Sequence, residues 1–338
     1  MPHRLQISQY FGEACNYFAQ GKCPACATHH ARRMAGNPTA SIRESMMVYR
    51  AYVDFASKMQ QTNDLLVEVT IPAEEITVNP ASGDILGLAH SAKISLNVAT
   101  NGFLLHRPAI IEKFVTAPVK TVRISLNAGV PLHTGTPVRE ILRNVRHLWL
   151  HKGCENVQVA ICFSGTNARD IRPLVDVVLE ALEGTKFLII FQEFLDPGGR
   201  RFYVKPSFMQ SMGFLQELLL IDAFTKPLDP FVFPRALFEL QPSRYRRATG
   251  LKAGEVSYAP YTISTLCNAD GKEINLALSA IHPTTLSHVI IRSDLRIARA
   301  IDLVAPPQET RFGIATPESI VSHLSWVVNR LIRRISSA

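Results

Sequence analysis

The sequence has 338 residues, of which 47% are apolar and 19% charged, and it carries a net charge of +8. This length suits one large α/β domain or two small ones, and the apolar fraction allows a sizeable core. Gly and Pro are too few, at 18 and 21, for a collagen-like or low-complexity chain. The longest apolar run, Phe187 to Phe191, is far shorter than the ~20 residues that span a bilayer. Because Met1 to Gln9 also lacks an apolar signal segment, we expect a cytoplasmic protein.

Short β-branched stretches bounded by turn residues predict six strands, and stretches of helical period predict the helices between them. The strands are predicted at His3–Ile7, Leu65–Ile71, Lys93–Ala99, Val119–Leu126, Asn156–Phe163 and Lys186–Phe194. The helices are predicted at Ser41–Gln60, Pro108–Phe114, Thr136–Lys152 and Asp170–Glu183. This alternation indicates an α/β fold with a parallel sheet, either doubly wound or rolled into a full or partial barrel. Ligands of such sheets bind at the C-terminal ends of the strands.

The alternation of strands and helices stops after Asp196-Pro197-Gly198-Gly199, which divides the chain into residues 1–199 and 200–338. The second region begins with a stretch rich in proline and aromatic residues. It ends with an amphipathic segment, Pro317 to Ile335, whose apolar residues recur at helical spacing and predict a packing helix. Most of the excess positive charge lies in this region, which favours an anionic ligand, an acidic electron donor or nucleic acid.

Three of the six cysteines, Cys15, Cys23 and Cys26, lie in one short loop after the first predicted strand. Stable disulfides are rare in the cytosol, so this grouping indicates a metal site or redox chemistry. Three thiolates can bind three irons of a [4Fe–4S] cluster and leave the fourth iron open to another ligand. Zinc with His29 or His30 as its fourth ligand is the alternative, and it would make the chain a zinc-stabilised α/β protein that binds a partner such as nucleic acid.

Four motifs in this order resemble those of the radical S-adenosylmethionine (radical SAM) family. Cys15-Asn16 with Cys23-Pro24-Ala25-Cys26 resembles the family's "CN…CP.C" loop, and the segment Ala73 to Pro80 resembles its "GGEPTLNP" segment. Thr100-Asn101-Gly102 matches "TNG", and Arg123 to Gly129 resembles "RISLDG". The chain departs from the family in two places. Seven residues separate its first two cysteines where the family has three, and Ala73 and Glu74 replace two glycines.

The resemblance implies a partial (β/α)6 barrel with a C-terminal α+β extension that shapes the substrate pocket. It also implies a [4Fe–4S] cluster on Cys15, Cys23 and Cys26 that binds S-adenosylmethionine (AdoMet) at its open iron. Reductive cleavage of AdoMet would give a 5′-deoxyadenosyl radical, which takes a hydrogen atom from a small polar or anionic substrate. An acidic flavodoxin or ferredoxin would supply the electron. Dense basic runs interleaved with aromatic residues are absent, which argues against a nucleic-acid partner.

The resemblance and the predicted strand ends together select the candidate site residues. Those expected to bind AdoMet are Ala73, Glu75, Thr100, Asn101, Ser125, Asn127, Ser164, Asn167 and Gln192. Glu193, a carboxylate after an apolar strand, and Cys267, a thiol that can donate hydrogen, are the catalytic candidates. Arg123, Arg244 and Arg247 are expected to bind an anionic group of the substrate. The sequence predicts Cys154 and Cys162 as small buried hydrophobic residues.

Overall fold

The structure is a computed structural model, and it describes thirteen stretches of the chain. These are residues 3–11, 39–62, 65–72, 75–127, 135–163, 168–193, 236–239, 252–258, 261–267, 273–279, 288–292, 294–299 and 313–335. Seven strands of one parallel sheet follow each other in chain order. They are β1 (His3–Gln9), β2 (Leu65–Ile71), β3 (Ser95–Thr100), β4 (Val119–Asn127), β5 (Cys154–Phe163), β6 (Phe187–Glu193) and β7 (Ala236–Glu239).

Helices connect or cover these strands. The helices in the described ranges are α1 (Ile42–Thr62), α2 (Ser82–Ser91), α3 (Pro108–Thr116), α4 (Gly135–Leu150), α5 (Ala168–Ala181) and α6 (Pro317–Ile335). The start of α1 is fixed by a capping box, in which the Ser41 N–H donates to Glu44 Oε2 over 2.8 Å and the Glu44 N–H donates to Ser41 Oγ over 3.2 Å. Pro108 occupies the first turn of α3, where its missing N–H costs nothing.

The region after residue 199 extends the sheet at both edges. Beyond β1 lie β11 (His288–Ile291), which is parallel to β1, and β12 (Ile297–Arg299), which is antiparallel to β11. The strand order is therefore β12-β11-β1-β2-β3-β4-β5-β6-β7. Within the described ranges, the two edge strands, β7 and β12, do not pair with each other. The strands β8 (Lys252–Tyr258), β9 (Tyr261–Cys267) and β10 (Glu273–Ser279) form a separate antiparallel sheet beside β7.

The two faces of the large sheet differ in chemistry. One face is apolar and packs under the helices, as Val67, Val69 and Ile71 of β2 do, and the buried residues there form one continuous core. The alternate positions form the opposite, polar face, which we call the inner face. In β1 to β5 its polar residues are Gln6, Ser8, Glu68, Thr70, Ser95, Asn97, Thr121, Arg123, Ser125, Asn156 and Gln158. A sheet with one polar face offers that face to ligand or solvent.

All six strands predicted from the sequence are present, and the α/β fold with a parallel sheet is confirmed. The observed strand ends differ from the predicted ones by up to two residues. The strand predicted to start at Lys93 starts at Ser95, because Lys93 has a positive φ of 56°. The sequence analysis missed α2, which contains Gly83 and Gly87. Glycine in a helix interior weakens the local helix signal. Among the described residues, no helix has both the length and the apolar character needed to cross a membrane.

Candidate functional site

The C-terminal ends of β2 and β3 are joined by the side chain of Glu75. Glu75 Oε1 accepts hydrogen bonds from the hydroxyls of Thr77, at 2.5 Å, and Thr100, at 2.6 Å, and from the Thr77 N–H at 3.2 Å. Glu75 Oε2 accepts from the Asn101 N–H at 2.6 Å. Glu75 is 2% exposed, so this carboxylate depends on protein donors instead of water. The structure thus brings together three residues that the sequence analysis selected from two separate motifs.

Burial and hydrogen bonding act on Glu75 in opposite directions. Burial raises the pKa of the Glu75 carboxyl above its ordinary value, because a charge is less stable away from water. The hydrogen bonds from Thr100, Thr77 and the Asn101 N–H stabilise the charged form and partly offset this increase. The net pKa of Glu75 is raised.

The turn after β3 requires the Thr-Asn-Gly sequence for local reasons. Thr100 Oγ1 accepts from the Gly102 N–H at 3.0 Å, and Asn101 Oδ1 accepts from the Phe103 N–H at 3.0 Å. Gly102 has a φ of 74°, and a Cβ there would lie 2.8 Å from Ile141 Cγ2 in α4. A larger residue would meet both backbone strain and a steric clash. This turn therefore holds the Glu75 donors close against the helix layer.

The segment that contains the three cysteines begins and ends at the same edge of the sheet. Before it, Gln9 at the end of β1 donates from Nε2 to the carbonyl oxygen of Ser45 in α1, over 3.0 Å. Phe11 packs edge-on against Tyr49 with ring centroids 5.2 Å apart, and the Tyr49 hydroxyl donates to the carbonyl of Ile85 in α2 at 2.9 Å. These contacts place both flanks of residues 12–38 next to the elements that follow Glu75.

Arg123 and Ser125 lie on the inner face, one position apart on that face. Ser125 is exposed and Arg123 is half-buried, whereas Val122, Ile124 and Leu126 are buried under the helices. Arg123 pairs in register with Ala99 on β3 and Gln158 on β5. The sequence analysis left Gln158 out, although its polar side chain between Val157 and Val159 is a signal of an inner-face position.

A row of polar residues crosses the C-terminal edge of the sheet in strand register. Asn127 pairs with Cys162, Cys162 with Gln192, and Gln192 with Glu239 at the end of β7. Glu193 pairs with Phe163, at the next position. Glu239 was not among the predicted site residues, because the proline- and aromatic-rich sequence around it gave no strand signal. Cys267 ends β9 and pairs with Glu273 in the antiparallel sheet.

Several predicted site residues lie outside the described ranges, so their positions stay predictions. They are Cys15, Cys23, Cys26, Ala73, Ser164, Asn167, Arg244 and Arg247. Among the residues that are described, no group of three His, Cys, Asp or Glu side chains could hold a metal ion. Cys154 is buried as expected for a small hydrophobic residue, and burial raises the pKa of its thiol to about 12.

The chain was compared with known families, curated proteins and solved structures. No family model and no curated protein matches it. The structure of Streptococcus suis SuiB bound to precursor peptide SuiA is similar over 94% of this chain and 63% of SuiB, with a TM-score of 0.56 and 13% identity. The structure of SuiB bound to S-adenosylmethionine is similar over 93% of this chain and 63% of SuiB, with a TM-score of 0.55 and 12% identity.

A radical SAM methyltransferase from Sphaerobacter thermophilus is 20% identical over 64% of this chain and 62% of its own, with a TM-score of 0.41. The chain therefore spans just under two thirds of the length of SuiB and of this methyltransferase. The similarity to SuiB, itself a radical SAM protein, extends over nearly the whole of this chain. The chain thus has an α/β fold like that of SuiB, and the expected α/β class with a parallel sheet is confirmed, whereas closure into a partial barrel stays a prediction.

Proposed function

We propose that the protein is a radical SAM enzyme. In this proposal, Cys15, Cys23 and Cys26 hold a [4Fe–4S] cluster that binds AdoMet. Such a cluster would supply one electron for the cleavage of AdoMet to methionine and a 5′-deoxyadenosyl radical, which would take a hydrogen atom from a small polar or anionic substrate. An acidic flavodoxin- or ferredoxin-type protein would reduce the enzyme, because its negative surface complements a chain of net charge +8.

The observation that supports this proposal is that the described residues on both sides of the cysteine segment, Phe11 and α1, contact each other and that α1 contacts α2, which follows Glu75. The Gln9–Ser45 and Tyr49–Ile85 hydrogen bonds hold the flanks of residues 12–38 against the elements that follow β2. Three closely spaced thiols are suitable donors for an iron–sulfur cluster with one open iron. The ligand would then lie at the C-terminal edge of a parallel sheet, where such sheets bind their ligands.

Within this site, some residues would hold the strand ends in position and others would bind AdoMet. The Glu75 carboxylate fixes the ends of β2 and β3, because all its hydrogen bonds in the described structure go to those two segments. We assign Ser125 and Asn127, near the end of β4, and Gln192, near the end of β6, to the polar groups of AdoMet. Ala73, Ser164 and Asn167 would complete that site. Glu193 and Cys267 would exchange a proton or a hydrogen atom with the substrate.

The test is anaerobic reconstitution with iron and sulfide, followed by reduction with AdoMet present. We expect a brown protein with a thiolate-to-iron absorption band that releases 5′-deoxyadenosine. A variant with Cys15, Cys23 and Cys26 all changed to Ala should show neither property. A Cys154→Ala variant is the matched control, since this buried thiol lies in β5 and should leave both properties unchanged.

A colourless wild-type protein that binds one zinc ion and leaves AdoMet intact would contradict the proposal. The cysteine segment would then be a structural zinc site of a binding protein. The substrate has a second candidate class, because one SuiB structure contains the precursor peptide SuiA. A peptide with an acidic side chain would present this chain with the same anionic group as a small molecule.

A further inference from the structure

Two residues of the inner face of β2 to β5, Glu68 and Arg123, carry a charge, and within the described residues only Glu68 has an oppositely charged partner. Lys120 Nζ donates to Glu68 Oε1 over 2.7 Å, and these side chains are 33% and 18% exposed. This pair lies towards the N-terminal end of the strands, because Glu68 pairs with Ser95 at the start of β3. Arg123 lies nearer the C-terminal edge.

Arg123 is half-buried, and no hydrogen bond or ion pair joins it to another residue in the part of the chain that the structure describes. A guanidinium group is always charged and offers five N–H donors in a fixed planar arrangement. Removing it partly from water without a counter-charge costs free energy, which a bound anion can restore. Among the described residues, Arg123 thus lacks a counter-charge and lies on the face of the sheet against which none of the described helices packs.

The neighbours of Arg123 leave space on one side and add a polar group on the other. Ala99, its register partner on β3, has only a methyl side chain, and Gln158, its partner on β5, can donate or accept a hydrogen bond. Ser125 is the next inner-face residue towards the C-terminal edge, and it is exposed. The arrangement has the shape of an anion site that opens towards the proposed AdoMet site.

We propose that Arg123, with Gln158 beside it, binds a carboxylate of the substrate through two parallel N–H···O bonds. A carboxylate fits better than a phosphate dianion, because Lys120, the other cation of β4, is already paired with Glu68. This inference rests on the proposed function for the identity of the reaction, and it names the substrate class: a carboxylate whose reacting carbon lies nearer the C-terminal edge than the carboxylate itself.

The test uses acetate as the probe and the thermal unfolding midpoint of the full chain as the readout. The midpoint is measured in sodium acetate, sodium phosphate and sodium chloride at equal ionic strength. We expect acetate to raise it by about 2 °C over chloride in the wild type, because a ligand of the folded state shifts unfolding by mass action. Arg123→Gln should lose this shift, and Arg123→Lys should keep a smaller one, because an ammonium group cannot bind a carboxylate as a planar pair.

Arg139→Gln is the matched control, since Arg139 is an exposed arginine paired with Glu180 on the helix layer, and this variant should keep the wild-type response to acetate. An equal acetate shift in wild type and Arg123→Gln, or a phosphate shift larger than the acetate shift, would overturn the inference. Far-ultraviolet circular dichroism checks that each variant is folded.

A second arm separates the substrate's carboxylate from that of AdoMet. The acetate shift is measured again on reconstituted protein saturated with AdoMet, and we expect it to persist. Loss of the shift when AdoMet binds would assign Arg123 to AdoMet and overturn the substrate assignment. The first arm needs neither cluster nor AdoMet. A positive acetate result in a protein that fails to cleave AdoMet would therefore contradict the proposed reaction and leave the carboxylate site standing.

Discussion

Glu75 shows how one buried carboxylate can connect two strands. Its two oxygens accept hydrogen bonds from Thr77 on its own turn and from Thr100 and Asn101 at the end of β3. A buried charge without such donors would destabilise the fold by several kcal/mol. Glu75, Thr100 and Asn101 were all selected from sequence motifs, as residues expected to bind AdoMet. The structure gives Glu75 and Thr100 a bracing role in the described residues, and their contact with AdoMet stays a prediction.

The pH dependence of the free energy of unfolding should reveal the raised pKa of the Glu75 carboxyl. Because burial raises the pKa of Glu75 above 4.5, its contribution to stability is fully present below that value and is lost as the pH rises through the folded pKa. Glu75→Gln does not titrate. We expect the unfolding free energy of wild type minus that of Glu75→Gln to fall as the pH rises above 4.5 and through the raised folded pKa.

Urea unfolding at a series of pH values measures this difference. Glu112→Gln, at an exposed position of α3, is unfolded in parallel as the surface control. A difference for Glu75→Gln that rises with pH would mean that the hydrogen bonds outweigh burial and that the folded pKa is lowered.

At the scale of elements, the contacts of α1 with its neighbours fix the position of the first helix described after the cysteine segment. The buried face of α1 carries Ser45, Tyr49 and Tyr52, a polar set in an otherwise apolar interface. The Tyr49 hydroxyl donates a hydrogen bond to the Ile85 carbonyl, whereas the Tyr52 hydroxyl is buried without a hydrogen-bond partner among the described residues. The helix itself follows from its sequence period, but the partner of each hydroxyl depends on where α2 lies.

This difference predicts opposite effects for two identical substitutions. Tyr49→Phe should lower the free energy of unfolding by about 1 kcal/mol, because it leaves the Ile85 carbonyl without its donor. Tyr52→Phe should raise it by about 1 kcal/mol, because it removes a buried hydroxyl that has no partner. Chemical denaturation of the two variants and the wild type gives both values, and each tyrosine controls for the other. Destabilisation of both variants would indicate that a buried water pairs with Tyr52.

At the scale of the whole molecule, the last helix completes the core beside the first. The buried residues of α6, Ile320, Leu324, Val327 and Val328, pack it against α1. From the same half of the chain, β11 and β12 extend the sheet beyond β1, and β7 extends it beyond β6. The sequence predicted a helix at Pro317–Ile335 and the structure has it there. Assigning residues 200–338 to the substrate pocket stays a prediction.

Because α6 packs on the helix that follows the cysteine segment, a core change in α6 should destabilise the molecule as a unit. Leu324→Ala should lower the free energy of unfolding by about 3 kcal/mol, since Leu324 is fully buried and its removal leaves a cavity. Ser322→Ala, on the exposed face of the same helix, should change it by less than about 0.5 kcal/mol. Denaturant unfolding followed by circular dichroism measures both. An α6 that contributes little to the core would show equal, small effects.

The sequence by itself determined the parallel α/β series, the positions of its six strands and the amphipathic last helix, because hydrophobic period and turn residues act over a few neighbours. It also selected Glu75, Thr100 and Asn101. Only the tertiary structure decided that Glu75 hydrogen-bonds Thr100 and Asn101, that Arg123 lies beside Gln158 on the inner face with no ion-pair partner in the described ranges, and that β7 and β11 join the sheet. These facts depend on strand register and helix packing between residues far apart in the chain, which local periodicity does not encode.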